Sequence, residues 1–270
     1  MPLSRLQSQV LRLLAAHRDP ESYVAGSTPL NRGTLRSSDD IDIFHDREER
    51  VARAAMDDTE ILQAAGMAIT WVRREPAIHT AEIRDGNELT RLEWVADSDF
   101  RFFPTVKDEV FGYVLHPIDL ATNKIMAAAG RRKAADAVDL IPIHERILPL
   151  GAVVWAAVEK APGFTPEGLI AEIRRNAHYR DEDLRGIPTS EPIDPKIFAI
   201  RLREVLNEAE AFVTRMPTDK VGLLFLQDGK IVQPDPNHLE NYQTHAGQRH
   251  GHWPSSAEIS TAMIERCGKR

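Results

Sequence analysis

Two aspartates, Asp40 and Asp42, stand inside an otherwise apolar run, Asp40-Ile41-Asp42-Ile43-Phe44. On an extended chain successive side chains alternate faces, so the two carboxylates share one face and Ile41 and Ile43 share the other. Acids held that close repel each other, and one pKa rises unless a cation intervenes. A hard divalent cation relieves the repulsion. Magnesium suits the pair, because it takes carboxylate oxygens, keeps part of its water and accepts phosphate oxygens from a substrate. Twelve residues before the pair the chain reads Val24-Ala25-Gly26-Ser27. A glycine removes the Cβ that blocks close backbone approach, the following N–H groups can meet an anion, and the Ser27 hydroxyl adds a donor. If Thr28 opens a short helix, its dipole favours phosphate as well. Arg36, four residues before the first acid, is a candidate clamp for a triphosphate.

Those residues need strands to hold them, and the first half of the sequence supplies strand-like and helical runs in alternation. A helix is expected over Leu3 to His17, a strand over Ser22 to Ala25 and its partner over Ile41 to Phe44. Apolar residues at helical spacing follow from Glu48 to Ala65. Three more strands are expected at Ala68 to Arg73, Thr80 to Arg84 and Leu89 to Ala96, with Asp85-Gly86 as a hairpin turn. The second half is mainly helical: Pro117 to Gly130, Asp136 to Leu148, Ala152 to Lys160, Pro166 to His178, and a longer helix from Asp194-Pro195, where Asp caps and Pro fills the first turn. Asp181 to Ile193 is patterned as an exposed connection, and Asp228-Gly229 as the turn of a second hairpin. The expected fold is α/β (α+β): a mixed sheet with flanking helices over residues 1–116, then a mainly helical region over 117–270 with a small hairpin, completing a nucleotide cleft.

The 270 residues are 42% hydrophobic and 28% charged, normal for a globular chain with a substantial core. No stretch approaches the roughly 18 apolar residues of a membrane span, and the Arg- and Gln-broken N-terminus patterns as an amphipathic helix, so a cytoplasmic protein without membrane contact is expected. Cys267 is the single cysteine, which leaves no internal disulfide and no zinc partners. A net charge of −7 argues against coating nucleic acid through a global positive field. Two local basic clusters remain, Lys124 with Arg131, Arg132 and Lys133, and Arg174 with Arg175, His178 and Arg180. Either cluster is a solvated helix face or a set of phosphate contacts. His238, His245, His250 and His252 have no standard zinc spacing and lie in a Gly-, Gln- and Pro-containing stretch expected to be a loop, with a lid or substrate contact left open. Trp71, Trp94 and Trp155 sit in apolar runs and are expected in the core.

A strand ending in Gly-Ser, a short insert and an acid pair in a second apolar strand resembles the core signature of the DNA polymerase β-like nucleotidyltransferase superfamily. A second block narrows the likeness. Arg101-Phe102-Phe103-Pro104, His116-Pro117-Ile118-Asp119-Leu120-Ala121-Thr122-Asn123-Lys124, Gly130-Arg131 and Asp136 to Asp139 resemble the AbiEii/AbiGii-type nucleotidyltransferase toxins. Those are the toxin half of type IV toxin–antitoxin pairs and include the MenT-like enzymes. The likeness covers roughly residues 20–145; the remainder matches less specific family features, such as the hairpin near Asp228 and the His-Gly-rich segment before Trp253.

The resemblance implies Gly26 and Ser27 on the triphosphate and Asp40 and Asp42 on magnesium, with manganese as a substitute. It implies Lys124 on nucleotide phosphate as a point charge, Asp136 as an acid of the site with Asp139 as the alternative, and Arg131 orienting either. The third carboxylate is Glu93 or Glu82, with Glu93 favoured by its apolar neighbours and an outward-facing structural position open for both. The implied reaction moves a nucleoside monophosphate from a nucleoside triphosphate to a hydroxyl, with the 3′ end of transfer RNA as leading acceptor and a cognate antitoxin as partner. AMP transfer to a protein or to a small molecule such as an aminoglycoside is the rival activity. A non-catalytic partner-binding protein of the same fold is the rival from another class.

Overall fold

The computed structural model describes residues 3–34, 36–38 and 40–254; Cys267 lies outside them. The chain forms two compact units, Met1–Phe100 with Pro104–His116, and Arg101–Phe103 with Pro117–Arg270.

The first unit opens with α1 (Arg5–Leu14), whose N-cap Ser4 accepts from Gln7 N at 3.0 Å while the Gln7 side chain accepts from Ser4 N at 3.1 Å. This reciprocal cap satisfies two donors left over at the helix start. A single 3₁₀ turn extends it over Ala15–His17. Then come β1 (Ser22–Ala25), the one-turn helix α2 (Ser27–Leu30), β2 (Asp40–His45), α3 (Glu48–Ala64), β3 (Ala68–Glu75), β4 (Ile78–Asp85) and β5 (Glu88–Ala96). The two-residue β6 (Phe100–Arg101) precedes β7 (Val106–Asp108) and β8 (Gly112–Val114). The sheet order is β3-β4-β5-β2-β1-β8-β7, with β2 parallel to β5, β1 parallel to β8 and the other neighbours antiparallel. The sheet is therefore mixed, the sheet type expected, and it packs against helices as the alternating runs predict. Leu6, Val10, Leu11 and Leu14 of α1 and Val51, Ala55 and Leu62 of α3 form one core with Val24, Ile41, Ile43, Ala81, Ile83, Leu92 and Trp94. Trp71 departs from expectation: it is half-buried at the margin of that core, on the edge strand β3.

The second unit contains α4 (Pro117–Gly130), α5 (Ala134–Arg146), α6 (Leu150–Ala157), α7 (Pro166–Asn176), α8 (Asp181–Arg185) and α9 (Pro195–Val213). All eight residues of α6 are buried, which fits a helix apolar on every side. Asp194 caps α9 by accepting from Lys196 N and Ile197 N, with Pro195 in the first turn. A small sheet of order β10-β9-β11 joins β9 (Leu224–Gln227), β10 (Lys230–Val232) and β11 (Gln243–His245); β12 (Gln248–Arg249) follows. Asp228 takes a left-handed φ of 49° and Gly229 one of 72°, the combination a tight primed hairpin turn demands. The stretch patterned as a bare connection contains α8, and the histidine-rich stretch contains β11 and β12 in place of a plain loop. Among the described residues no single helix is long and apolar enough to cross a membrane.

Candidate nucleotide and metal site

β2 alternates strictly: Ile41, Ile43 and His45 are buried on the core side, while Asp40, Asp42 and Phe44 are half-buried on the other. Parallel register sets Asp42 against Glu93 and Asp40 against Arg91, and antiparallel register sets Asp42 against Ala25. Partners on neighbouring strands point to the same face about 4.8 Å apart, so Asp40, Asp42 and Glu93 share one surface. Glu82 lies one strand further out, opposite Arg91. Thr80 lies opposite Glu93 and Arg73 opposite Thr80. Sequence reasoning missed Arg91, Thr80 and Arg73 on this surface, because alternation assigns faces but not neighbours.

Gly26 follows β1 with φ 70° and ψ −151°, a conformation open essentially to glycine alone. A Cβ at this position would lie 1.8 Å from Asp42 Oδ2. The Asp42 carboxylate thus occupies the space that a side chain at position 26 would fill, and Gly26, Asp42, Asp40 and Glu93 are brought together. The short helix begins at Ser27 rather than Thr28, and the Thr28 hydroxyl donates to Asp40 O at 2.5 Å, tying the turn to the start of β2. One turn carries little macrodipole, so an anion here would rely on local N–H groups and the Ser27 hydroxyl. Arg36 is buried, and its Nη1 donates to Ser37 O at 3.0 Å; it is a built-in cation rather than an open clamp.

Among the described residues no group of three or more His, Cys, Asp or Glu side chains is placed to hold a metal ion. Magnesium does not need three: it commonly binds through one or two carboxylates and completes its shell with water and substrate phosphate. The hard oxygen pair Asp40 and Asp42, with the Gly26 cradle around one of them, fits that habit.

In the second unit Lys124 is only 6% exposed. Its Nζ lies 2.8 Å from Asp136 Oδ1 and 3.1 Å from Asp139 Oδ2, and Arg131 Nε donates to Asp136 Oδ2 at 2.7 Å. Burial pushes the Asp136 carboxyl up, but the hydrogen bond from Arg131 and the charge of Lys124 outweigh it and hold the group below the usual carboxylate range. The solvated-lysine reading of Lys124 is thereby corrected: it is buried with Asp136 and Asp139, while Arg131 reaches Asp136 from an exposed position. Arg132 and Lys133 remain exposed. In the other basic cluster Arg174 pairs with Glu210 at 2.8 Å, Arg175 with Glu172, and Arg180 with Asp183 at 3.1 Å.

Asp119 is a further residue whose part was not foreseen. Fully buried, it accepts from Phe102 N at 2.8 Å, Phe103 N at 3.0 Å and Lys160 Nζ at 2.9 Å. His245 pairs through Nε2 with Phe102 O at 2.8 Å and stacks on Phe103, with His252 against its ring at 4.2 Å. Burial is the main cause lowering the His245 pKa. The histidine-rich stretch is therefore anchored on Phe102 and Phe103.

No family model and no curated protein matches the chain. Among solved structures it is similar to MenT4, a nucleotidyltransferase toxin from Mycobacterium tuberculosis H37Rv, with a TM-score of 0.55 at 16% identity over 79% of this chain and 83% of that one. It also overlaps the RNA terminal uridylyl transferase Cid1, at 11% identity over 98% of this chain and 83% of that one, with a TM-score of 0.31. A cytoplasmic RNA terminal U-transferase gives 13% identity over 89% and 68%, with a TM-score of 0.28. Scores that low carry no argument. The MenT4 overlap establishes the fold as a nucleotidyltransferase type, in agreement with the resemblance drawn from Gly26-Ser27 and Asp40-Ile41-Asp42.

Proposed function

We propose that this chain is a magnesium-dependent nucleotidyltransferase that moves a nucleoside monophosphate from a nucleoside triphosphate to a hydroxyl acceptor. The observation that carries the reading is the Asp42 carboxylate seated against the left-handed Gly26, with Asp40 and Glu93 on the same surface of a MenT4-like fold. Asp40 and Asp42 would hold the ion, which when bound neutralises charge developing on the phosphoryl oxygens. Gly26 gives the backbone close approach to a phosphate, and Ser27 supplies N–H and hydroxyl donors. Glu93 is the proposed proton acceptor. The acceptor oxygen bonds to the α-phosphorus, the α–β bridging bond breaks, pyrophosphate leaves, and the acceptor's proton passes to the carboxylate. Lys124 and Arg131 are the proposed phosphate contacts of the second unit, with Asp136 and Asp139 holding the Lys124 side chain in place.

The leading acceptor is the 3′ end of transfer RNA, in a type IV toxin role with a cognate antitoxin. MenT4's description as a nucleotidyltransferase toxin supports the toxin part of this reading. One observation favours keeping a protein or small-molecule acceptor as the second reading: Arg174, Arg175 and Arg180 are matched by acids, which weakens one of the two clusters available for RNA phosphates. The test is incubation with magnesium, each labelled nucleoside triphosphate in turn, and total transfer RNA, beside an Asp40→Asn/Asp42→Asn control. Label on RNA that the control abolishes supports the first reading. Label on protein or small hydroxylated molecules supports the second, and no transfer to any acceptor overturns both.

A further inference from the structure

On the core side of the same sheet, away from the acids, three buried side chains carry polar atoms that no protein group among the described residues meets. Ser22 and His45 are register partners across β1 and β2, so their side chains adjoin on one face. Arg18 precedes the Asp19–Ser22 bridge. It is 6% exposed, Ser22 is 2% exposed and His45 is 0% exposed. Arg18 Nη2 donates to both oxygens of Asp58, at 2.6 and 2.7 Å, and Trp94 Nε1 donates to Asp58 Oδ2 at 2.7 Å. Among the described residues, Arg18 Nε and Nη1, Ser22 Oγ and both ring nitrogens of His45 have no protein partner. A buried polar atom left unmet forfeits its hydration without return, and five in three adjoining side chains point to something that meets them.

The chemistry of that occupant follows from the atoms. Arg18 offers only donors, Ser22 offers both, and a neutral imidazole offers one donor and one acceptor. A cation is therefore repelled by the guanidinium face. An anion is opposed by the carboxylates around it: Asp58 already neutralises Arg18, Arg50 is engaged by Asp19 and Glu21, and the charges of Asp19 and Asp46 also act on His45. A small neutral molecule that both accepts and donates remains. We infer that Arg18, Ser22 and His45 hold a cluster of ordered water molecules between them, a structural site behind the strand that bears Asp42. The cluster supplies acceptors to Arg18 Nε and Nη1 and a donor to His45, which is how a buried guanidinium and a neutral histidine coexist there.

A crystal structure of the full chain, resolved well enough to show solvent and repeated after a bromide soak, tests this. The expected result is solvent peaks about 2.7–3.2 Å from those nitrogens and Ser22 Oγ, with no anomalous signal. An anomalous bromide peak beside Arg18 overturns the inference in favour of an anion site, and empty density with the five atoms bonded to protein groups overturns it outright. In solution, water-oxygen relaxation dispersion of wild type and of a His45→Phe variant, whose ring fills the space, gives a second readout. Loss of the long-lived water signal in the variant is expected, and an identical signal in both counts against the site.

Discussion

Gly26→Ala separates the acid cradle from ordinary backbone strain. An added Cβ would stand 1.8 Å from Asp42 Oδ2, where real contacts stay above 3.0 Å, so the carboxylate must retreat by at least 1.2 Å. Misplacement of a catalytic group by about 1 Å costs on the order of 10²-fold in rate. The φ of 70° adds a folding cost of about 1–3 kcal/mol for any L side chain, which lowers Tm by a few degrees without touching chemistry. Gly66 is the control: its φ is 86°, and a Cβ there meets nothing within 4 Å. Both variants are expected to lose similar stability by thermal unfolding, while only Gly26→Ala loses transferase activity, by about 10²-fold or more. Activity in folded Gly26→Ala equal to that of Gly66→Ala would refute the idea that Gly26 exists to seat Asp42.

Asp40→Asn and Asp42→Asn should each remove several kcal/mol of transition-state stabilisation while leaving the unfolding temperature without magnesium unchanged or raised; a loss of fold would make the acids structural. Wild type at 100-fold excess of nucleotide with magnesium over its Kd should gain about 2.7 kcal/mol in thermal unfolding, a gain absent in both variants. His45 has a pKa lowered from 6.5 to about 3 by burial, with Arg18 and Arg50 adding to the effect and Asp19 and Asp46 opposing it. The unfolded chain therefore binds a proton that the folded chain refuses between those values, and stability should fall as pH drops from about 6.5 toward 3, by up to about 4 kcal/mol. A His45→Phe variant should lose that part of the slope in denaturant titrations, and an unchanged slope would show that His45 is not its source. Lys124→Met leaves two buried carboxylates without their shared cation and should cost about 3–5 kcal/mol, measurable as a lowered denaturation midpoint.

β1 and β2 were legible because Ser22 to Ala25 is a short run around Tyr23 and Val24, and Asp40 to Phe44 sets the β-branched Ile41 and Ile43 in alternation with the acids, both local signals. The pattern of apolar neighbours around Glu93 marked it as a strand residue. It did not show that Glu93 stands beside Asp42 and Glu82 a strand away, because register between β2 and β5 depends on a crossover through α3 and a hairpin. β7 and β8 escaped notice for a related reason: three residues each give no period. Burial of charge was hidden too. Lys124 finds its acids 12 and 15 positions later, beyond the reach of helical spacing, and the His-rich stretch is ordered by Phe102, 143 positions before His245.

β2 carries opposite demands on its two faces, and their sizes decide whether the site exists before the ion arrives. Asp40 and Asp42 lie about 6.7 Å apart along the strand, so their repulsion is roughly 0.6 kcal/mol in water and about 2.5 kcal/mol at an effective dielectric of 20. On the other face Ile41 and Ile43 are 0% and 1% exposed, and burying two such side chains contributes about 3–6 kcal/mol. Burial exceeds repulsion across that range, so the strand forms without a cation and the carboxylates are preorganised. Chelation of divalent ions should therefore abolish transfer while leaving the circular dichroism spectrum intact and Tm lowered by no more than a few degrees. A cooperative loss of structure on chelation would mean that the ion folds the strand, and the order of events argued from Ile41 and Ile43 would be reversed.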